Sequence, residues 1–99
     1  MLFVRMPSTG EYLAFENHAF PRASTWDVLL ATTGAPGIHF EDYPELRPDV
    51  QGYYLPEWSH MVRPDGERLT AALYRIIQRD FWGPGAPGAA AAPRSPAAR

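Results

Sequence analysis

Apolar positions along the chain fall into two short strand-like clusters and one long helical stripe. Leu2-Phe3-Val4-Arg5-Met6 is a run of strand-forming side chains stopped by Pro7, and Pro7-Ser8-Thr9-Gly10 is turn chemistry. Tyr12 to Phe20 has too little periodicity to choose between helix and strand, and Pro21 breaks it. Ser24 or Thr25 is placed to cap a helix through Trp26-Asp27-Val28-Leu29-Leu30-Ala31, in which Trp26, Leu29 and Leu30 share a face. Asp27 suits the first-turn dipole, and Gly34 suits the position just past the helix end. Gly37-Ile38-His39-Phe40-Glu41-Asp42 reads as the second strand, bounded by Pro36 and Pro44.

Tyr43 to Ser59 reads as a long loop rich in aromatic residues and proline. Loops of that length in compact domains are usually functional or disordered. From Pro64 to about Phe81 the pattern is helical: Leu69, Ala72, Leu73, Ile76, Ile77 and Phe81 form one apolar stripe. Arg68, Arg75, Gln78 and Arg79 lie largely away from it, and Pro64 fits a first helical turn, where its missing N–H costs nothing. The order strand, helix, strand, loop, helix predicts an α/β fold with two parallel strands and a crossover helix. Two parallel strands and two helices cannot cover both faces of such a sheet, so the expectation is the last part of a larger α/β domain.

Composition narrows the picture. Beyond Gly83 the chain is Gly-, Ala- and Pro-rich, without large side chains to bury, so residues 1–82 are expected to be the globular part and 83–99 a disordered tail. The net charge is −2, all nine cationic residues are arginine, and none of them clusters in the globular part. Nucleic-acid binding calls for a concentrated basic face and is disfavoured. Cysteine is absent, which excludes disulfides, thiolate metal sites and a cysteine nucleophile. No apolar run approaches the roughly 20 residues a membrane span needs. The start, Met1-Leu2-Phe3-Val4-Arg5, is too short for a signal peptide, so a cytoplasmic location is expected.

The candidate chemistry sits in Leu55-Pro56-Glu57-Trp58-Ser59-His60-Met61, just before the long helix. One loop turn brings Glu57 within reach of the His60 ring. A carboxylate on one ring nitrogen fixes the tautomer and stabilises the imidazolium, leaving the other nitrogen to act as general base. That is two-thirds of a hydrolytic triad. Ser59 is adjacent to the histidine and reads as a loop hydroxyl. Ser8 and Thr9 follow a strand end, where α/β active sites assemble, but their neighbours form no nucleophile elbow, so a turn role is expected. His18, His39 and His60, with Glu41 or Asp42, match no metal-ligand spacing; no metal or cofactor is expected, and His39 reads as structural. Trp26 and Trp58 read as core aromatics.

An acid-x-x-His pair between a last strand and a terminal helix resembles the C-terminal end of the SGNH, or GDSL-type, hydrolase superfamily. Glu57, Trp58, Ser59, His60 and Met61, followed by Arg63-Pro64-Asp65-Gly66-Glu67-Arg68-Leu69, carry the resemblance, with Gly37-Ile38-His39-Phe40 as the final strand. It implies part of a three-layer, flavodoxin-like fold and ester or acyl hydrolysis, with Glu57 as the acid and His60 as the base. The chain departs from that pattern in three ways. Glu57 stands where the family usually has Asp; Val62 stands where a capping polar residue is common; and the family's serine, glycine and asparagine motifs are not among these residues. The reading is therefore a C-terminal fragment of such a hydrolase, inactive alone and expected to pair with a complementary N-terminal segment or with a second copy. The alternative is a small non-catalytic binding protein that docks through an exposed sheet edge and the apolar face of its last helix.

Overall fold

A computed structural model describes residues 1–82; the expected disordered tail, 83–99, lies outside the described residues. Over the described residues the fold is α/β, with four α-helices and a two-stranded parallel sheet. Strand β1 (Phe3–Arg5) leads to helix α1 (Gly10–Ala19), and helix α2 (Trp26–Thr33) leads to strand β2 (Gly37–His39). Short helix α3 (Pro48–Gln51) and long helix α4 (Arg63–Ile77) follow. The strands pair in register Phe3 to Gly37, Val4 to Ile38 and Arg5 to His39.

Local chemistry explains most element ends. Gly34 closes α2 in the left-handed region (φ 71°), donating its N–H to the Leu30 carbonyl at 2.9 Å. Thr25 does stand at the N-cap of α2, but it does not cap by accepting a helix N–H. Its hydroxyl donates to the Pro21 carbonyl at 2.8 Å and so braces the turn ahead of the helix. The second strand is shorter than its sequence pattern suggests. His39 Nδ1 accepts the Glu41 N–H at 3.2 Å, which turns Phe40–Asp42 into a 3₁₀ turn and takes it out of the ladder. Gly37 permits the crossover helix to approach the strand: a Cβ there would lie 2.7 Å from the Trp26 ring and 2.9 Å from Leu30.

The core lies between β2, the Tyr43–Leu55 segment and α4. It gathers Ile38, Phe40, Tyr43, Leu46, Tyr53, Leu55, Leu69, Ala72, Ile76 and Phe81. The segment expected to be an open loop is thus folded: Pro44–Leu46 is a 3₁₀ turn, α3 follows, and alternate residues Tyr53 and Leu55 point inward. Past Ile77 the backbone widens into a π turn over Gln78–Trp82 and buries Phe81.

The apolar stripe of α4 is consequently covered, and the face expected to be free for docking is not. Exposed large apolar side chains remain at Tyr74 on the outer side of α4, at Trp82 past its end, and around α1. Helix α1 buries none of its residues, although Tyr12 and Phe15 on it and Phe20 at its C-cap are large and apolar. This explains the weak periodicity of that segment: only Leu13 of the helix packs against the core, and no residue of it is fully buried. β2 is buried throughout, whereas β1 is half-buried along its length. The β1–α1 side is thus left open.

Candidate functional site

The loop from Leu55 to Met61 is closed at its base, anchored in the core and fastened at its tip. At the base, Val62 donates its N–H to the Tyr54 carbonyl at 3.1 Å, and Asp65 in the first turn of α4 accepts the Tyr54 N–H at 2.7 Å. Leu55 anchors one arm in the core, and Met61 packs against that core from the other. Inside the loop, Trp58 donates its N–H to the Leu55 carbonyl at 2.9 Å, which closes a tight turn through Pro56 and Glu57. At the tip, the Trp58 carbonyl accepts the Thr9 N–H at 2.9 Å, and the indole lies on Gly10.

Thr9 and Gly10 follow the carboxyl end of β1, so this contact brings the loop to the strand ends where α/β folds assemble their sites. It carries a conformational cost. Trp58 adopts a left-handed backbone (φ 62°), a strain on the order of 1–3 kcal/mol for a bulky residue.

Within this loop, Glu57 Oε2 stands 3.3 Å from His60 Nδ1, at ion-pair distance. Catalytic hydrogen bonds measure about 2.6–3.2 Å and commonly tighten only when the site is complete. The Ser59 hydroxyl lies 3.4 Å from the same nitrogen. The Glu57 and His60 side chains are each 78% exposed, so water reaches both. Two groups therefore compete for Nδ1. The carboxylate needs a proton on it, and the hydroxyl, acting as donor, needs it bare.

The Ser8 hydroxyl is buried and committed. It donates to Glu16 Oε1 at 2.6 Å and accepts from Arg5 Nη2 at 3.2 Å, and Arg5 also reaches Glu16 at 2.9 Å. This cluster ties β1 to α1 and fixes the turn that carries Thr9. Ser8 is a structural link, and its hydroxyl is not aligned with an imidazole. His39 is likewise structural: it is buried, stacked on Phe40 at 5.3 Å and meeting Trp26 edge-on at 5.3 Å. Trp26 is core, but Trp58 is 43% exposed, with its ring on Gly10. Among the described residues no group of three or more His, Asp or Glu is placed to hold a metal ion. Among the same residues no helix is long and apolar enough to cross a membrane.

Sequence patterns put Glu57 and His60 on one loop and Thr9 at a strand end, but do not tie Thr9, Gly10 or Asp65 to that loop. Gly10 after a Pro-Ser-Thr turn and Asp65 in the first turn of the following helix were the available signals. No family model, curated protein or solved structure matches the chain.

Proposed function

We propose that the chain carries the acid–histidine half of an SGNH-like ester hydrolase site, with Glu57 orienting His60 and the nucleophilic serine supplied from outside these residues. The observation that carries the reading is the Glu57–His60 pair on a loop fastened to the carboxyl end of a parallel strand. In this reading the serine oxygen attacks the ester carbonyl while His60 Nε2 takes its proton. The imidazolium then gives that proton to the departing alcohol, and water releases the acyl group by the same steps. Glu57 holds the ring and stabilises the imidazolium throughout.

The half-buried β1 and the exposed aromatic residues on and beside α1 support an occupant on that side of the fold. A complementary N-terminal segment would complete the parallel sheet there and cover both of its faces, as such sheets require. A second copy of the chain is the lesser alternative, because it would bring no serine loop of the required kind.

The test begins with the coding sequence immediately upstream, which should encode a Gly-Asp-Ser-like segment. Co-produced with that polypeptide, the chain should hydrolyse 4-nitrophenyl acetate. His60→Ala should lower kcat by about a millionfold and Glu57→Ala by about ten-thousandfold, as for triads acting as a unit. The chain alone should give no hydrolysis above buffer. Activity of the pair that is indifferent to His60→Ala would refute the reading.

A further inference from the structure

We propose that Trp58 and Gly10 form a lock that positions His60: the indole seats on the Cβ-free face of Gly10 and holds the loop tip against the end of β1. The proposal deepens the acid–base reading of Glu57 and His60 and rests on it. Both partners of the lock adopt left-handed backbone, Gly10 at φ 60° and Trp58 at φ 62°. A Cβ built on Gly10 would stand 2.7 Å from both Cδ1 and Nε1 of Trp58 and 3.2 Å from Cγ, so the ring occupies the place of a side chain. The Thr9 N–H to Trp58 carbonyl bond, 2.9 Å, is the backbone half of the same contact.

The lock matters because little else holds the pair. Glu57 and His60 are each 78% exposed, so side-chain packing does not fix them. Their placement comes from the backbone of Trp58, which lies between them and is pinned on both sides: its N–H goes to Leu55 and its carbonyl to Thr9. Strained backbone of this kind persists where surrounding contacts over-determine it, and such places concentrate at functional sites. Glycine at position 10 serves twice, supplying the positive φ and leaving room for the ring. Trp58 and Gly10 act through His60 and are positioning residues.

The test uses the full ¹⁵N-labelled chain and compares wild type with Gly10→Ala, Trp58→Gly and the double variant. Two signals are read by NMR: exchange of the Thr9 amide and the imidazole resonances of His60. Gly10→Ala should speed Thr9 exchange by about tenfold or more and shift the His60 ring signals, while the amides of the α4 core keep their protection. Trp58→Gly accepts the left-handed backbone without strain and removes only the ring. It should shift the same His60 signals, and in its background Gly10→Ala should add nothing further to them. If Gly10→Ala fails to fold, Trp58→Gly decides alone.

His60 signals unmoved by Trp58→Gly would overturn the lock and leave Trp58 as a cover for Gly10. The two proposals fail separately. A responsive His60 in a chain that never gains esterase activity with its upstream partner supports the lock and sinks the hydrolase reading. An active pair whose kcat and His60 signals ignore Trp58→Gly does the reverse.

Discussion

Asp65 accepts the backbone N–H of Tyr54 at 2.7 Å, so the first turn of α4 holds the beginning of the very loop that leads into it. The same carboxylate takes Arg68 Nη1 at 3.2 Å on its other oxygen. Asp65→Ala leaves the Tyr54 N–H without its charged acceptor and should cost about 1 kcal/mol, the ordinary worth of such a bond near the surface. Asp65→Asn keeps an acceptor and should cost less. Urea denaturation measures both; equal losses would show that the acceptor contributes nothing.

A second tie joins the turn before α2 to the turn after β2. Arg22 grips Asp42 with both terminal nitrogens, at 2.9 and 2.7 Å. The Asp42 carboxylate holds the Arg22 guanidinium above its usual range, first through the hydrogen bonds and then through charge. Both side chains are about one-third exposed, so solvent screens much of this. Arg22→Lys loses the fork but keeps the charge, and should cost about 0.5–1 kcal/mol in thermal or urea unfolding. A larger loss in high salt than in low salt would contradict the electrostatic account.

The core and the open side make opposite predictions. Ile76 is 1% exposed and sits among the α4 core residues, so Ile76→Ala should cost about 3 kcal/mol through lost burial and a residual cavity. Phe15 is 62% exposed on α1, and Phe15→Ser in the isolated chain should stay within about 0.5 kcal/mol. Sedimentation should also show less self-association for Phe15→Ser. A comparable loss of stability at both positions would mean that α1 is packed in solution.

The acid limb of stability should depend on Asp49. Arg47 hydrogen-bonds its carboxylate at 3.0 and 2.7 Å and lowers its pKa below the ordinary carboxylate value. A carboxylate whose pKa is lower in the folded state contributes stability above its unfolded pKa, and loses that contribution as pH falls through the folded value. The Tm gap between wild type and Asp49→Asn should therefore be widest near neutral pH and close in acid below the carboxylate range. It should be small and salt-sensitive, because the pair is solvated. A gap that grows on acidification would reverse the sign and contradict the assignment.

What could be read from sequence follows what each residue must do locally. The Leu69–Phe81 stripe is legible because a helix that buries one face repeats its apolar residues at helical spacing. Gly34 is legible because a left-handed cap favours glycine. The Glu57–His60 spacing is legible because four residues span one turn of loop. Helix α1 is not legible: it sets only Leu13 against the core and fully buries no residue, and so Tyr12 to Phe20 carries no period. The early end of β2 is hidden as well, since it depends on His39 turning its ring nitrogen to the Glu41 N–H. The docking of the site loop on Thr9 is a backbone bond, which leaves a mark only in Gly10.

The claim that Glu57 orients His60 for proton transfer at Nε2 is tested most directly by the tautomer of the neutral His60 ring, read from its ¹⁵N shifts and two-bond couplings. Glu57 at 3.3 Å calls for a proton on Nδ1, whereas Ser59 at 3.4 Å, donating to Nδ1, calls for the proton on Nε2. The prediction is an Nδ1–H tautomer in wild type that gives way to Nε2–H in Glu57→Ala and survives in Ser59→Ala. An Nε2–H ring in wild type, unchanged by Glu57→Ala, would contradict the account.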